Sequence, residues 1–190
     1  MTVQSSRPGL SNLRIVVIIL PSFLLVSRMP SESDLRQRAM ECFQKAYEHQ
    51  MHGEFDEAIT LYTESIEAYP TAEAYTFRGW TYSFLGNYER AIAECLDAIK
   101  VDPDFGNPYN DIGAYLIEQG NWDEAIPWFE KAIRAPRYDA RCFPHFNLGR
   151  VYEHKHDWRK AKACYASALE LNRQYRLAWA ALRRLQAMWN

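Results

Sequence analysis

A seven-residue stretch that occurs four times decides the fold of this chain. It reads Gly-Glu-Phe-Asp-Glu-Ala-Ile at 53–59, Gly-Asn-Tyr-Glu-Arg-Ala-Ile at 86–92, Gly-Asn-Trp-Asp-Glu-Ala-Ile at 120–126 and His-Asp-Trp-Arg-Lys-Ala-Lys at 156–162. The copies begin 33, 34 and 36 residues apart. A period of this length, sustained along the chain, indicates a row of similar supersecondary units that stack on one another.

Each period predicts two amphipathic helices joined by a tight turn. Tyr75, Gly79 and Tyr82 follow helical spacing before the turn, and Ala91 and Cys95 follow it afterwards. The glycine that opens three of the copies suits the left-handed backbone at a helix end. Small residues recur where the two helices would cross, and they predict a close approach of the backbones: Gly79, Gly113, Gly149, Ala58, Ala91, Ala125 and Ala161.

This pattern resembles the tetratricopeptide repeat family, whose unit has 34 residues. The resemblance covers four units, at 39–71, 72–105, 106–141 and 142–175, and the second unit matches best. It implies an all-α fold, an α-α superhelix (solenoid) of four helical hairpins, within a domain at 39–190. Residues 176–190 read as a capping helix that covers the last hairpin.

Several residues depart from the family pattern. Ala46 replaces the crossing glycine of the first unit, and His156 replaces the turn glycine of the fourth. Pro127 lies inside a predicted helix, where we expect a mild kink. Extra residues around 135–139 separate the third unit from the fourth.

The capping helix has its own expected faces. Leu177, Ala181, Leu185 and Met188 can share one apolar face. Trp179 and Trp189 are interpreted as core contacts with the fourth unit, and the alternative is an exposed patch that drives dimerisation.

Composition excludes several classes of protein. Of 190 residues, 48% are apolar and 24% are charged, which excludes wholesale disorder. The formal net charge of −2 argues against a dedicated nucleic-acid binder. Four scattered cysteines provide neither a disulfide framework nor a zinc site. The charge is unevenly distributed: +3 over residues 1–38, −11 over 39–141 and +6 over 142–190.

The segment 1–38 is predicted to lie outside the folded domain. Its apolar run at 15–26 has 12 residues between Arg14 and Arg28, too few to span a bilayer comfortably. Three interpretations stay open: a start of translation at Met29, which is favoured, a signal-like or membrane-associating segment, or a disordered segment. Membrane association through residues 15–26 is not favoured, and a cytoplasmic location is expected. The alternative is a membrane-associated or exported protein, if residues 1–28 are a genuine signal or anchor.

The family resemblance implies that the first helix of each unit lines a concave wall. Mapping those positions predicts a groove that is aromatic in its N-terminal half and polar in its C-terminal half. Its ligand-binding residues would be Phe43, Tyr47, Phe77, Trp80, Phe84, Asn110, Asp111, Phe146, Asn147 and Arg150. The same mapping places Met51, Thr76 and Ile117 on the wall. Alternatively, the N-terminal segment or residues 31–38 cover the aromatics, or these rings are ordinary packing between repeats.

Two functions follow from these patterns. The favoured hypothesis is a non-catalytic scaffold that binds a partner protein or peptide in the groove, with no cofactor. The alternative is a self-assembly module that stacks through its oppositely charged ends.

The basic residues of the tetratricopeptide subclass that grips a terminal carboxylate are missing here, so that subclass is not expected. His49 and His52 have metal-compatible spacing but no third ligand nearby, and no catalytic motif is present in the sequence.

Overall fold

A computed structural model describes residues 30–188, and nine α-helices account for most of this range. They are α1 (Glu32–His52), α2 (Phe55–Ala68), α3 (Ala72–Phe84), α4 (Tyr88–Val101), α5 (Asn107–Glu118), α6 (Trp122–Arg134), α7 (Cys142–His154), α8 (Trp158–Leu171) and α9 (Arg176–Ala187). Within the described range, pairing of the β type is limited to an isolated bridge between Phe105 and Arg137. The predicted all-α class is confirmed.

The helices pack in the order of the chain. The tightest pairs are α1 with α2, α3 with α4, α5 with α6 and α7 with α8, and each pair packs against the next one. α9 packs on α8. The largest group of buried side chains lies in the middle of the row and includes Tyr82, Ile112 and Phe129. Four stacked hairpins and a final covering helix are therefore confirmed.

The turns inside the hairpins share one backbone conformation. Gly53, Gly86 and Gly120 have φ angles of 79°, 73° and 83°, in the left-handed region. His156 has a φ of 58°, and it is the one residue other than glycine with a positive φ in the described range. The turn geometry is therefore kept in the fourth hairpin, where a side chain takes on the strain that glycine avoids.

The first hairpin begins earlier than the repeat pattern predicts. Asp34 N–H donates to the Ser31 hydroxyl at 3.2 Å, and Ser31 N–H donates to the Asp34 carboxylate at 2.9 Å. This reciprocal cap starts α1 at Glu32, so the predicted boundary between residues 38 and 39 falls inside α1. Residues 32–38 are two helical turns, which removes the interpretation that they lie across the wall. Residues 1–29, with the apolar run at 15–26, lie outside the described part.

The residues that separate the third hairpin from the fourth reach back to the second. Arg137 N–H donates to the Asp104 carbonyl at 3.0 Å, and the Arg137 carbonyl accepts from Gly106 N–H at 3.1 Å. The guanidinium of Arg137 pairs with Glu73 at 2.8 Å and with Asp102 at 2.6 Å. The extra residues thus join elements that are distant in sequence.

α9 covers the last hairpin with a different face from the predicted one. Ala178, Ala181 and Leu185 are buried, whereas Leu177 and Met188 are exposed, so the prediction was wrong for those two residues. The buried stripe is centred about a quarter turn away from Leu177, at the 100° per residue of an α-helix. Trp179 is 47% exposed and donates its indole N–H to the Arg173 carbonyl, so its interpretation as a core contact was also wrong. Trp189 lies outside the described residues.

Two further features of the helices bear on the sequence predictions. α6 continues through Pro127 without a break. None of the helices within residues 30–188 is long and apolar enough to cross a membrane.

Candidate functional site

Five aromatic side chains from α1 and α3 form a continuous surface, which we call the aromatic face: Phe43, Tyr47, Phe77, Trp80 and Phe84. The Phe77 ring centroid lies 5.2 Å from that of Phe43, 5.8 Å from that of Tyr47 and 5.7 Å from that of Trp80. The Trp80 and Phe84 centroids are 5.5 Å apart. Most of these pairs meet edge to face, an arrangement that favours aromatic contact. The structure thus brings together five of the six predicted aromatic residues.

The local sequence explains why these rings share one side of the molecule. Phe43 and Tyr47 are four residues apart on α1, and Phe77, Trp80 and Phe84 are three and four apart on α3. Such spacings place side chains on one face of a helix. Packing of α1 and α3 within the row then sets the two stripes side by side.

The aromatic face has an inner and an outer layer. Phe43 and Phe77 are half-buried, and both rings pack toward the fully buried Tyr62. Tyr47 and Trp80 are each 41% exposed, and Phe84 is 52% exposed. The outer three rings can therefore contact a ligand, whereas the inner two mainly support them from below.

The polar half of the predicted wall is largely satisfied within the chain. The Asn147 side-chain amide donates to the Asn110 carbonyl oxygen at 3.2 Å, and the Asn110 amide donates to the Asp111 carboxylate at 3.3 Å. Asn147 is buried. Arg150 pairs with Glu118 at 3.4 Å. These predicted ligand-binding groups bind one another, so the capacity of the polar half for new hydrogen bonds is reduced.

Asp111 has a carboxyl group whose ionised form is disfavoured by its surroundings. Burial raises the pKa of its carboxyl to about 7, and the hydrogen bond from Asn110 offsets this only in part. Within the described residues, no cation lies within ion-pairing distance of this carboxylate. At neutral pH the group therefore titrates between its neutral and charged forms.

Phe146 is separated from the other predicted aromatic residues. Its ring lies 5.5 Å from that of Tyr165 on α8 and 5.0 Å from that of Tyr175, which precedes α9. Together with Arg150, it lines a hollow of about 350 Å³ between α7 and α9. Phe146 therefore belongs to the packing between the fourth hairpin and the capping helix.

Two further positions predicted on the wall are core positions. Thr76 is 3% exposed and Ile117 is 4% exposed. Thr76 donates its hydroxyl to the Ala72 carbonyl within α3, at 2.7 Å. Both predictions were wrong, because at these positions the first helices face their neighbours in the row.

Sequence reasoning missed Phe55. This residue opens α2, and its ring stacks on Phe84 at a centroid distance of 5.4 Å. A signal was present in the repeat itself, because an aromatic residue stands two positions after every turn, at Phe55, Tyr88, Trp122 and Trp158. Trp122 stacks in the same way on His154, with centroids 4.1 Å apart.

The predicted metal-compatible residues do not form a metal-binding cluster in the described part of the chain. No cluster of three or more metal-ligating side chains occurs within residues 30–188. His49 instead pairs with Glu54 at the end of α1. The free Cys95 and Cys142 are buried, and burial raises the pKa of the Cys95 thiol well above its usual value, which disfavours the reactive thiolate.

Comparison with protein families gives one consistent result. Two models described as tetratricopeptide repeat match residues 72–105 and 104–174. Together they cover more than half of the chain. The matched range includes the second, third and fourth hairpins.

Some of the curated relatives carry the same repeat in their names. "Small glutamine-rich tetratricopeptide repeat-containing protein 2" of Mycosarcoma maydis is 29% identical over 105 residues, which are 55% of this chain and 30% of that protein. "Protein SGT1 homolog" of Oryza sativa subsp. japonica is 36% identical over 110 residues, which are 57% of this chain and 28% of that protein. The chain thus spans less than a third of the length of these relatives.

Solved structures share the fold at lower identity. The pilF protein of Pseudomonas aeruginosa superposes with a TM-score of 0.76 at 21% identity, over 81% of this chain and 70% of that one. YrrB, described as a TPR protein with an unusual peptide-binding site, superposes with a TM-score of 0.59 at 18% identity, over 79% of this chain and 77% of that one. These similarities show the helical repeat superhelix.

Proposed function

The chain belongs to the tetratricopeptide repeat family, and from that premise we propose that it is a non-catalytic scaffold that binds a segment of a partner protein on the aromatic face. Protein partners are what the family membership supports in general. The particular surface is our proposal, and a cytoplasmic location stays a prediction.

One observation carries this proposal: three aromatic rings are exposed on one helical surface, where Phe77 contacts both Tyr47 and Trp80, and Trp80 contacts Phe84. Tyr47, Trp80 and Phe84 each have two-fifths or more of their surface open to solvent. Large contiguous apolar surface is uncommon on a protein that has no use for it. Trp and Tyr are also the residue types that contribute most to binding at protein interfaces.

The polar half of the predicted wall offers few free groups for hydrogen bonds or ion pairs with a ligand. Asn110 and Asn147 are engaged with each other, and Arg150 is neutralised by Glu118. Most of the affinity should therefore come from apolar side chains of the partner that lie against Trp80 and Phe84. YrrB, whose fold is similar, is described as a TPR protein with an unusual peptide-binding site, and this description supports the proposal that a segment of a protein is bound.

A selection from a displayed peptide library tests the proposal without knowledge of the partner. Peptides enriched on the full chain should bind it by calorimetry. They should lose roughly 30-fold or more in affinity when Trp80→Ala and Phe84→Ala are combined, a loss within the range of interface hot spots. Circular dichroism should show unchanged helicity, because both side chains are exposed.

Leu96→Ala provides the matched control. Leu96 is 39% exposed on α4, away from the aromatic face, and its truncation should leave peptide affinity unchanged. Peptides that bind the double variant as tightly as the parent chain would exclude the aromatic face as the binding surface. Failure to enrich any peptide on the parent would count against the scaffold itself.

Self-assembly through the ends is the second candidate, and the outer side of α9 favours it. Leu177 and Trp179 are 60% and 47% exposed there, among Arg176 and Arg183. The acidic first three hairpins offer the opposite charge. Sedimentation should then show oligomers at about 50 mM salt that dissociate at about 500 mM salt. They should dissociate because salt screens the electrostatic attraction between the ends. A monomer at both salt concentrations would exclude this candidate.

A further inference from the structure

One apolar stripe runs along most of α1 and has no cover within the described residues. Met40, Phe43, Tyr47 and Met51 are three, four and four residues apart, so they lie on one helix face. Met40 is 51% exposed and Met51 is 62% exposed. The aromatic face is therefore the central part of a longer apolar surface that starts near the beginning of α1.

The end of this surface nearest the start of α1 is a hollow. It has a volume of about 370 Å³, and its lining includes Ala39, Met40, Phe43 and Tyr69. Arg36, one turn from the start of α1, stands at its edge. A segment that leaves the N-terminus of α1 and turns back along the helix would meet this hollow first and the aromatic face next.

The chain contains a segment with the composition to fill that surface. Residues 15–26 read Ile-Val-Val-Ile-Ile-Leu-Pro-Ser-Phe-Leu-Leu-Val, and they end five residues before Ser31, the cap of α1. From Ser31 to Met51 the helix rises about 30 Å, at 1.5 Å per residue. An extended chain from residue 15 to residue 30 spans about 50 Å, at 3.3 Å per residue. The segment is therefore long enough to run beside the whole stripe.

Charge complements this arrangement. Arg14 and Arg28 flank the apolar run, and residues 1–38 have a net charge of +3. Residues 39–141, which contain the apolar surface, have a net charge of −11. Opposite charges favour an association between the two, and tethering in one chain raises the effective concentration of the segment to the millimolar range.

We propose that the aromatic face and the hollow beside it are the docking site for residues 15–26 of this same chain. Docking covers Trp80 and Phe84 with apolar side chains and leaves the flanking arginines over the acidic surface. A partner that uses the aromatic face must then displace the segment. This competition rests on the proposed function, whereas the docking itself does not.

Fluorine NMR of the full chain tests the docking directly. The protein is produced with 5-fluorotryptophan, and the Trp80 resonance is assigned among the six tryptophans by its loss in Trp80→Phe. In a variant that combines Ile18→Ser, Leu20→Ser and Phe23→Ser, the segment loses much of its apolar character. The Trp80 resonance should shift relative to the parent chain, while the resonance of Trp128 on α6 should not.

Controls separate docking from other effects. A matched variant with Thr2→Ser, Gln4→Ser and Asn12→Ser, outside the apolar run, should leave the Trp80 resonance in place. The spectra are repeated over a hundredfold range of protein concentration, with the mass measured by sedimentation. An unchanged Trp80 resonance in the Ile18, Leu20 and Phe23 variant would overturn the proposal. A shift that depends on concentration and accompanies a dimer would overturn docking within one chain and assign the site to a second copy.

Peptide binding separates this proposal from the scaffold function. Peptides selected on the variant with serine at 18, 20 and 23 should bind that variant about tenfold tighter than the parent, because the parent must first release its own segment. If the Trp80 resonance shifts and no peptide binds either protein, docking stands and the scaffold function fails. If peptides bind both proteins equally through Trp80 and the resonance does not move, the scaffold stands and docking fails.

Discussion

At the scale of single residues, the crossing glycines explain how closely the paired helices approach. A methyl group built on Gly149 would lie 2.4 Å from the Tyr165 ring, and one on Gly113 would lie 2.5 Å from the Phe129 ring. Both rings are fully buried, so they have no room to retreat. Gly79 is less constrained, since its nearest neighbour would be the Ala91 carbonyl oxygen at 3.0 Å.

Gly149→Ala should therefore destabilise the chain more than Gly79→Ala. Overpacking a buried ring costs about 1–3 kcal/mol, and the gain in helix propensity of about 1 kcal/mol offsets part of it. We expect the free energy of unfolding to fall by about 1–2 kcal/mol in Gly149→Ala and to change by no more than about 0.5 kcal/mol in Gly79→Ala. Urea unfolding followed by circular dichroism measures both. Equal losses at the two positions would mean that the Tyr165 ring does not set the helix spacing.

Asp111 predicts a dependence of stability on pH. Its carboxyl pKa is about 7 in the folded chain against an ordinary value of 3.8, so the folded state holds a proton that the unfolded state has released. This contribution is present below about pH 4 and is lost as the pH rises toward 7 and above. The free energy of unfolding of Asp111→Asn should equal that of the parent near pH 4. At pH 8 it should exceed that of the parent by about 1–3 kcal/mol.

Urea unfolding at several pH values checks this prediction. Glu94 contributes in the same direction, because burial raises the pKa of its carboxyl in spite of its ion pair with Arg78. The parent and Asp111→Asn curves should therefore both slope, and their difference isolates Asp111. A difference that does not change between pH 4 and pH 8 would contradict the assigned pKa.

At the scale of elements, the linker between α6 and α7 contributes contacts that its sequence does not suggest. Arg137 meets Glu73 at the start of α3 and Asp102 at the end of α4, and its guanidinium lies 4.5 Å above the Phe105 ring. Tyr138 is buried next to Gly106. The linker thus holds the second and third hairpins at a fixed separation.

Arg137→Ala should lower the free energy of unfolding by about 1 kcal/mol at low salt. Exposed ion pairs are individually weak, and about half of the Arg137 side chain is exposed, but it makes two such pairs and a ring contact. The loss should shrink in 1 M salt, which screens the ion pairs and leaves the ring contact. Arg134→Ala is the control, because its pair with Glu130 is long at 3.9 Å and more exposed. If both variants lost a similar free energy of unfolding, the linker contacts of Arg137 would contribute no more than an ordinary exposed ion pair.

The sequence allowed the periodic features to be predicted and gave no access to the aperiodic ones. The turn at His156 and the aromatic stripes at 43–47 and 77–84 follow from register, since every copy of the repeat constrains the others. Arg137 pairs with Glu73, which is 64 positions away in the sequence. Arg137 lies in an insertion that occurs once in the chain, so the repeat pattern does not predict this pair. The hydrogen bond that Asn147 donates to Asn110 was missed for a similar reason, because it depends on the distance between neighbouring first helices.

At the scale of the whole molecule, a stacked row has two ends, and α9 protects one of them. α9 occupies the place of the first helix of a fifth hairpin, and Arg183 stands where the crossing glycine would be by the 34-residue offset from Gly149. Arg183 is exposed, and its side chain is much larger than the glycine at the corresponding position of the second, third and fourth units. α9 covers the fourth hairpin, with Leu185 buried against that hairpin and Leu177 exposed.

Leu185→Asp should consequently loosen the molecule from one end. Leu185 is 2% exposed in a cluster with Ala161 and Tyr165, and burying an unpaired carboxylate there should cost about 3 kcal/mol or more. Because each unit of a repeat protein contacts only its neighbours, the damage should spread inward from α9. Hydrogen exchange should show that amides of α7 and α8 lose protection before those of α3 and α4. Leu177→Asp, on the 60% exposed side of the same helix, should leave exchange unchanged. A uniform loss of protection along the chain in Leu185→Asp would mean that the hairpins unfold as one cooperative unit, and α9 would then stabilise the whole row and not its C-terminal end alone.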